Sequence, residues 1–109
     1  MLVWTAVNAP LPADASANPN LLRGTVACSA ASACVVASDY FDSSGVEHGL
    51  LLTGSGTSWT AMKAPLPSNA VNGGELDSVT CVPGSVCTAG GLYLDSSQHT
   101  QGMLLTGPA

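Results

Sequence analysis

An internal repeat is the feature that most constrains the fold of this 109-residue chain. The segment WTAVNAPLP at 4–12 returns as WTAMKAPLP at 59–67, with seven of the nine residues identical. Residues 25–54 match residues 78–107 at 13 of 30 positions, with an offset of 53 rather than 55 residues. Repeats of this length are typical of folds that stack one supersecondary unit on the next. We therefore predict one domain, residues 1–109, that contains two copies of a unit.

The copies are expected to span 4–58 and 59–109, each as a meander of short strands. In the first copy the β-prone runs are GTVAC, CVVASDYF, HGLLLTG and SWTAMKA, separated by turn residues. Short connections between strands favour antiparallel hairpins. The link at 9–24 is longer, and its prolines argue against a strand interior or a helix. No stretch has a sustained helical period, so the predicted fold class is all-β.

Charge and hydropathy exclude several classes of partner. The formal net charge is −5, and the chain has only two cationic residues, one Lys and one Arg. A surface that binds nucleic acid needs several cations, so we expect no nucleic-acid partner, and an anionic membrane is disfavoured for the same reason. No apolar run approaches the roughly 18 residues of a membrane span, and no signal peptide is visible at the start of this sequence.

The four cysteines form two pairs with the spacing C-x5-C: Cys28 with Cys34, and Cys81 with Cys87. Paired zinc ligands are usually separated by roughly two to four residues. A turn of five residues, with Pro-Gly in the second pair, instead places two cysteines opposite each other on a hairpin. We predict two local disulfides, with free buried thiols or a metal site as the alternatives. Disulfides imply an oxidising location, extracellular or periplasmic.

A repeated four-stranded meander of this length is the blade of a β-propeller. The segments TVACSAASACVVAS, SVTCVPGSVCTAGG and GLLLTGSGTSWT resemble the Cys-rich, Trp-ended propeller repeats of secreted actinobacterial proteins. The resemblance covers nearly the whole chain and departs from the family in having only two units. It implies a propeller fold and an extracellular setting, but no single activity, so it carries over no catalytic residue.

Two blades cannot close a ring, because propellers have roughly four to eight. Copies of the same chain can supply the others, and cyclic symmetry closes a head-to-tail interface. We prefer a homotrimer with six blades, with a tetramer of eight as the alternative. Joining the end of one chain to the start of another would place five residues between Gly107 and Trp4, against four between Gly54 and Trp59. The N-terminal strand is therefore expected to complete the last blade of a neighbouring chain.

Candidate ligand-binding residues follow from this arrangement. The long link and the loop between the second and third strands are expected on one ring face, where propellers commonly bind ligands. The candidates there are Asn18, Asn20, Asp42, Ser43, Glu47, His48, Asp95, Ser96 and His99. Further polar residues on the same face are Arg23, Ser44, Asn69, Asn72, Glu75, Asp77, Ser97 and Gln101.

Structural roles compete with ligand binding at each of these positions. Asp42 and Asp95 precede Ser-Ser in a turn, where an Asx side chain bonds its own backbone. Glu47 and His48 are adjacent on a strand and point to opposite faces, so a surface pair is favoured over an acid–base pair. His99 is expected to be solvated.

The aromatic residues also have both a ligand-binding and a structural interpretation. Trp4 and Trp59 could stack on a sugar, but matched positions in a terminal strand favour a role in sealing one blade against the next. Tyr40 and Tyr93 are expected to pack with exposed hydroxyls.

The leading functional hypothesis is a non-catalytic, oligomeric binding module, lectin-like, with a carbohydrate ligand. The alternative is a structural propeller fragment, natural or engineered, that assembles without a ligand. A glycoside-acting enzyme ranks third, because only Asp42 and Asp95 recur as acids and a glycosidase needs two carboxylates at a defined separation. The sequence also has no G-x-S-x-G nucleophile motif. We predict no catalytic residue, no metal and no cofactor.

Overall fold

The computed structural model of the chain describes residues 3–21 and 24–109, except for the side chain of Asn72. These residues form seven strands and no helix. The strands are β1 (Gly24–Ala30), β2 (Ala33–Phe41), β3 (Glu47–Ser55), β4 (Ser58–Lys63), β5 (Ala70–Cys81), β6 (Cys87–Asp95) and β7 (Thr100–Gly107). The prediction of an all-β chain is thus confirmed. Within the described ranges, no helix is long and apolar enough to cross a bilayer.

The first sheet is the four-stranded antiparallel meander that the sequence predicts. Its strands lie in the order β1-β2-β3-β4, and each pairs with the next one along the chain. The five-residue turn between β1 and β2 places Cys28 directly opposite Cys34. The central strands β2 and β3 contain consecutive apolar residues, at 35–37 and 50–52. Because successive side chains on a strand point to opposite faces, both faces of the sheet are apolar.

The second sheet has three strands, in the order β5-β6-β7. Its first strand is longer than expected: β5 begins at Ala70, eight residues before the repeated core at Ser78. Ala70 pairs with Asp95, and the register shifts twice before the strand continues to Cys81. At the matching place in the first copy there is only an isolated bridge, between Ala15 and Asp42. The expectation of a long unstructured link therefore applies to the first copy, and in the second much of that segment joins the sheet.

The two sheets pack face to face. Strand β5 contacts β1, β2 and β3, and the buried core between the sheets contains Ala37, Ala64, Leu76, Ala89, Tyr93 and Met103. A second cluster lies on the other face of the first sheet, around Tyr40, Leu50 and Leu52. Leu11 and Ala15 of the N-terminal link cover that face, together with Trp59 and Ala61 of β4. Both faces of the first sheet are therefore occupied.

Both predicted disulfides are present. Cys28 is bonded to Cys34 and Cys81 to Cys87, and there is no free cysteine. The second hairpin also contacts the first sheet, because the Gly84 N–H donates to the Ser29 carbonyl at 2.9 Å. The alternatives of free thiols and of a metal site at these cysteines are wrong.

The second sheet leaves one face and one edge open. Leu104 of β7 is 80% exposed, and Leu92 and Leu94 of β6 are exposed on the same face. Among the described residues, no strand pairs with the outer edge of β7. The N-terminal segment also lies in solvent, and Trp4 is fully exposed.

Candidate functional site

The loop between β2 and β3 is organised by Asp42. One oxygen of its carboxylate, Oδ1, accepts hydrogen bonds from the backbone N–H groups of Ser44 and Val46, at 2.8 and 3.0 Å. The other oxygen, Oδ2, is 2.8 Å from Nε2 of His48. Hydrogen bonds to the ionised form, first from the Val46 backbone and then from His48, lower the pKa of Asp42. Asp42 is thus the turn-former that the sequence predicts.

The loop between β6 and β7 repeats this arrangement around Asp95. Its Oδ1 accepts from the backbone N–H groups of Ser97 and His99, both at 2.9 Å. Its Oδ2 accepts from Nε2 of Gln101, also at 2.9 Å. The pKa of Asp95 is lowered by the backbone bond from His99 and by the Gln101 bond. Gln101 therefore takes the place of His48, as the alignment of the two copies predicts.

The link is tied to each of these loops through a tyrosine. In the first copy the Tyr40 hydroxyl donates to Asp14 Oδ1 at 2.8 Å, and in the second the Tyr93 hydroxyl donates to Asn69 Oδ1 at 2.8 Å. A backbone bond accompanies each side-chain bond: Ser43 N–H donates to the Asp14 carbonyl, and Ser96 N–H to that of Asn69. The link and the loop thus lie on the same edge of each sheet, as predicted.

The first copy carries charge where the second is neutral. Asp14 Oδ2 is 2.7 Å from Nζ of Lys63 at the end of β4. The hydrogen bonds from Lys63 and then from Tyr40 lower the pKa of Asp14. Burial, followed by the bond to Asp14, raises the pKa of the Tyr40 hydroxyl well above its ordinary value. At neutral pH the uncharged Tyr40 hydroxyl therefore donates to an ionised carboxylate, whereas the Tyr93 hydroxyl donates to a neutral amide.

A buried carboxylate joins the two sheets. Asp39 is fully buried, and its Oδ1 accepts from the backbone N–H of Leu76 at 2.8 Å. Leu76 lies at the point where the register of β5 shifts, so its N–H is turned away from β6. The residue of the second copy that aligns with Asp39 is Leu92, which lies on the open face.

The other predicted site residues are at the surface or outside the description. Asn18, Asn20, Ser43, Ser96 and His99 occupy exposed positions. Asn20 adopts a left-handed backbone with φ 52°, and Glu47 is partly buried. Arg23 and the side chain of Asn72, both predicted candidates, lie outside the described residues.

Two predictions about side-chain exposure are wrong. His48 was expected in a surface pair with Glu47, but it is only 5% exposed, because Asp42 and the Tyr40 ring enclose it. The tyrosine hydroxyls were expected to be exposed, yet Tyr40 is fully buried and both hydroxyls are bonded to the link. In each case the link folds over the sheet and covers positions that a bare strand would expose.

Sequence reasoning also missed three polar residues: Asp14, Asp39 and Lys63. A signal for Asp14 does exist, because the 55-residue offset aligns it with Asn69 and both side chains can accept from a tyrosine. Asp39 and Lys63 align with Leu92 and Asn8, so the repeat gives no hint of their roles.

Two groups of side chains bring three possible metal ligands within 4.8 Å of one another. In the group of Asp14, Asp42 and His48, the carboxylate oxygens already bind Tyr40, Lys63, the loop backbone and the histidine. A cation would have to break these bonds. The second group contains Asp39, Glu47 and Glu75, and Asp39 uses one oxygen to bind the Leu76 N–H. The contacts of the first group assign it to hydrogen bonding within the fold.

An Asp–His pair is also the arrangement that orients a general base. In such a site the second ring nitrogen must reach the substrate. Here Nε2 of His48 faces Asp42, and Nδ1 is buried with no hydrogen-bond partner among the described residues. The contacts of the pair are therefore those of a structural bond between a strand and its loop.

Comparison with known proteins adds no relative to this description. No protein-family model, no curated protein and no solved structure matches the chain. What the chain can do is therefore argued from its own geometry.

Proposed function

We propose that this chain is a two-blade unit that assembles with copies of itself into a closed β-propeller, which acts as a non-catalytic binding module. The preferred ring is a homotrimer of six blades, and the resemblance to secreted propeller repeats belongs to the same proposal. One observation carries it: the second sheet exposes the face that the first sheet buries.

Aligned residues on the two sheets make this comparison direct. Leu51 of β3 packs against the core between the sheets, whereas the aligned Leu104 of β7 is 80% exposed. Leu104 shares this face with the exposed Leu92 and Leu94, and contiguous exposed apolar residues mark a surface that another protein can cover. A second copy can cover it with the face of its own first sheet, where Leu11 and Ala15 lie. In doing so it would repeat the contact that already joins the two sheets of one chain, in which Leu66 and Ala70 take those places.

Ring closure also accounts for the offset between repeats and sheets. The first sheet has four strands and the second has three, so a fourth strand donated by another copy would make the two blades alike. Heterologous contacts of this kind close into a ring when the rotation between copies allows it. The two disulfides support an extracellular or periplasmic location for the assembly.

The ligand class that fits best is a carbohydrate. In a ring, the edges formed by the link and the Asp42 and Asp95 loops would recur on one face, with exposed side chains such as Asn18, Ser43 and Ser96. Polar side chains that carry few charges suit a neutral, hydroxyl-rich ligand. Repeated weak sites on one ring would gain apparent affinity through multivalency.

A specific observation favours the second candidate, a structural assembly that binds no ligand. Asp42, Asp95, Tyr40 and Tyr93 all use their polar atoms within the chain. The tyrosine bonds hold the link against the sheet, and the aspartate bonds hold each loop to its own strand. Both sets leave fewer groups for a ligand.

The experiment has two stages. Light scattering on the oxidised chain measures the oligomer, and a mass of three or four chains is expected, against 10.8 kDa for one. A glycan array is then probed with the intact oligomer. Binding to glycans that Asn18→Ala and Ser43→Ala weaken supports the binding module, a silent array favours the structural assembly, and a monomer contradicts the ring.

A further inference from the structure

A cavity of about 310 Å³ opens between the two sheets at their outer edge. On one side it is lined by Val35, Leu51 and Met62 of the first sheet, and on the other by Ala89, Leu105 and Gly107 of the second. The lining is largely apolar, and an apolar cavity of about 150 Å³ is already large enough to hold a benzene ring. The cavity can therefore accept a larger aromatic side chain.

The cavity lies beside the open edge of β7. In the first sheet, β4 occupies the corresponding edge of β3 and carries the sequence WTAM at 59–62. The N-terminal segment carries WTAV at 4–7, and this segment is solvent-exposed and unpaired in the chain. An open strand edge offers N–H and C=O groups to an added strand.

The register of β4 predicts the register of the added strand. Gly54 pairs with Trp59, Thr53 with Thr60 and Leu52 with Ala61. The residues of β7 lie 53 positions after their counterparts in β3, and those of the N-terminal segment lie 55 positions before their counterparts in β4. The same pairing therefore places Trp4 opposite Gly107, Thr5 opposite Thr106 and Ala6 opposite Leu105.

The alternation of side chains then gives the direction in which Trp4 points. Residues opposite each other on paired strands share a face. Trp59 and Ala61 pack with Leu52 on one face of the first sheet. On the added strand, Trp4 and Ala6 would share a face with Leu105, and Leu105 packs against the core between the sheets. The indole of Trp4 would therefore enter the cavity.

The strand must come from a second copy. Leu11 and Ala15 hold the link on the face of the first sheet that is turned away from the second sheet. Residues 3–8 run directly into this link, and all of them are exposed and lie outside the strands of the chain. In a head-to-tail ring, the second sheet of the neighbouring copy lies on that side.

We infer that the cavity between the sheets is the receptor site for the Trp4 indole of a second copy, delivered by residues 3–8 as a fourth strand on β7. The inference rests on the proposed ring and specifies the contact between neighbouring chains: each chain donates one tryptophan and accepts another. The buried indole would contribute through its large apolar area, and the strand through backbone hydrogen bonds that stop the edge from aggregating.

Disulfide trapping in the full-length chain tests the register. In the double variant Thr5→Cys/Thr106→Cys, the two Cβ atoms would lie about 4.5–5.5 Å apart across the strands, within reach of a disulfide after small adjustment. In the control Val7→Cys/Thr106→Cys, the pair is diagonal, at roughly 7–8 Å. Mild oxidation should link the chains of the first variant into covalent multimers, and should leave most of the control uncross-linked.

Trp4 fluorescence gives a second, independent readout. In a Trp59→Phe background Trp4 is the only tryptophan. Its emission should be blue-shifted and protected from a soluble quencher in the oligomer, and should shift to the red on dilution to the monomer.

Substitution of Trp4 should weaken assembly without unfolding the chain. Trp4 is fully exposed within one chain, so Trp4→Ala should leave the monomer folded and shift dissociation to higher protein concentration. Trp4→Phe should restore part of the loss. The matched control is Ser97→Ala, on the loop between β6 and β7, which should have no effect because its counterpart Ser44 stays exposed beside the second sheet.

The outcomes separate this inference from the ring itself. An oligomer that traps no Thr5→Cys/Thr106→Cys link, and in which Trp4 is quenched as in the monomer, contradicts the strand and its pocket while leaving a ring of stacked faces. A chain that is monomeric under all conditions contradicts both.

Discussion

At the scale of single residues, the two copies hold the link and the loop in place with side chains of different charge. A tyrosine hydroxyl ties the link to each sheet, but its acceptor is the Asp14 carboxylate in the first copy and the Asn69 amide in the second. The aspartate of each loop likewise accepts from His48 in one copy and from Gln101 in the other. The shared requirement is an acceptor or a donor at a given place, and the charge is free to vary.

Removing one tyrosine hydroxyl tests the difference in charge. Tyr93→Phe should lower the free energy of unfolding by about 1 kcal/mol, the typical contribution of a neutral hydrogen bond. Tyr40→Phe should cost more at neutral pH, since its acceptor is ionised. Urea unfolding measures both variants, and Asp14→Asn is the control that should make the Tyr40→Phe loss resemble that of Tyr93→Phe. Equal losses in the presence of Asp14 would count against a charge-assisted bond.

Acid should destabilise the fold through the same carboxylates. Hydrogen bonds hold the pKa values of Asp14, Asp42 and Asp95 below the ordinary value of 3.8. For a group whose folded pKa is depressed, the stabilisation is complete above the unfolded pKa and is lost as the pH falls through the folded pKa. The melting temperature should therefore be level near pH 6 and fall progressively below about pH 4.

The control for the acid effect is Asp95→Asn, in which one of the three groups no longer titrates. Its melting temperature should be lower than that of the parent chain at pH 6, and the gap should narrow in acid. A gap that does not change with pH would show that the charge on Asp95 is not what stabilises the loop.

At the scale of elements, aligned hairpins differ in how far the neighbouring sheet covers them. The hairpin of β5 and β6 contacts the first sheet, and its Cys87 is 5% exposed. Cys28, on the hairpin of β1 and β2, is exposed. The same disulfide, at the same place in the repeat, thus has two environments.

Reduction should follow this difference in accessibility. A mild reductant should open the Cys28–Cys34 disulfide first, because thiolate attack needs access to sulfur. Alkylation and mass spectrometry at successive times would identify the order. Loss of Cys81–Cys87 should lower stability by roughly 2 kcal/mol for so short a loop, as Cys81→Ser/Cys87→Ser would measure. Simultaneous reduction of both pairs would contradict the assigned difference in burial.

Two aligned glycines should respond oppositely to alanine. A Cβ on Gly49 would lie 2.9 Å from both Ala64 Cβ and Leu76 Cγ, whereas one on Gly102 would meet only the Gly91 carbonyl at 4.0 Å. Gly49→Ala should therefore destabilise the monomer by about 1–3 kcal/mol through overpacking. Gly102→Ala should leave the monomer unchanged and weaken assembly, because Ala9 of the second copy aligns with Ala64. Chemical unfolding and light scattering separate the two effects.

At the scale of the whole molecule, the chain has one sheet with both faces covered and one sheet with an exposed face. The first sheet has both faces covered and no open outer edge beside β3, whereas the second exposes Leu104 and the edge of β7. The proposed ring follows from this asymmetry. The face that the second sheet exposes is equivalent to the face of the first sheet that packs against the second sheet.

A charge on the open face should block assembly and spare the fold. Leu104→Asp replaces a side chain that is 80% exposed, so the monomer should unfold at nearly the same temperature. In the ring, an aspartate there would be buried without a partner, which is strongly unfavourable. Light scattering should show the monomer. The control Ser97→Asp places a charge on an exposed loop residue whose counterpart Ser44 stays exposed beside the second sheet, and it should leave the oligomer intact. Assembly of Leu104→Asp would remove the main support for stacked blades.

Much of the fold could be predicted because its signals are local. The strands of the first sheet follow from short β-prone runs between turn signals, and the disulfides from two cysteines on either side of a short turn. The strand path of 70–77 could not be predicted, because Gly73 and Gly74 weaken any β signal, and pairing with β6 decides the conformation. The burial of His48 was missed for a similar reason: it depends on Asp42 and on the link that folds over Tyr40.

By itself, the sequence determined that this protein is built from two like meanders, where most of their strands run and which cysteines pair, because turn signals and short connections act between near neighbours in the chain. Only the tertiary structure decided which polar side chains are buried, which face of each sheet is covered, and where a cavity is left between them. Those outcomes depend on contacts between residues far apart in sequence. The two copies are alike in sequence, but packing makes their environments different. The first sheet lies between the N-terminal link and the second sheet, whereas the second sheet is covered on one face only.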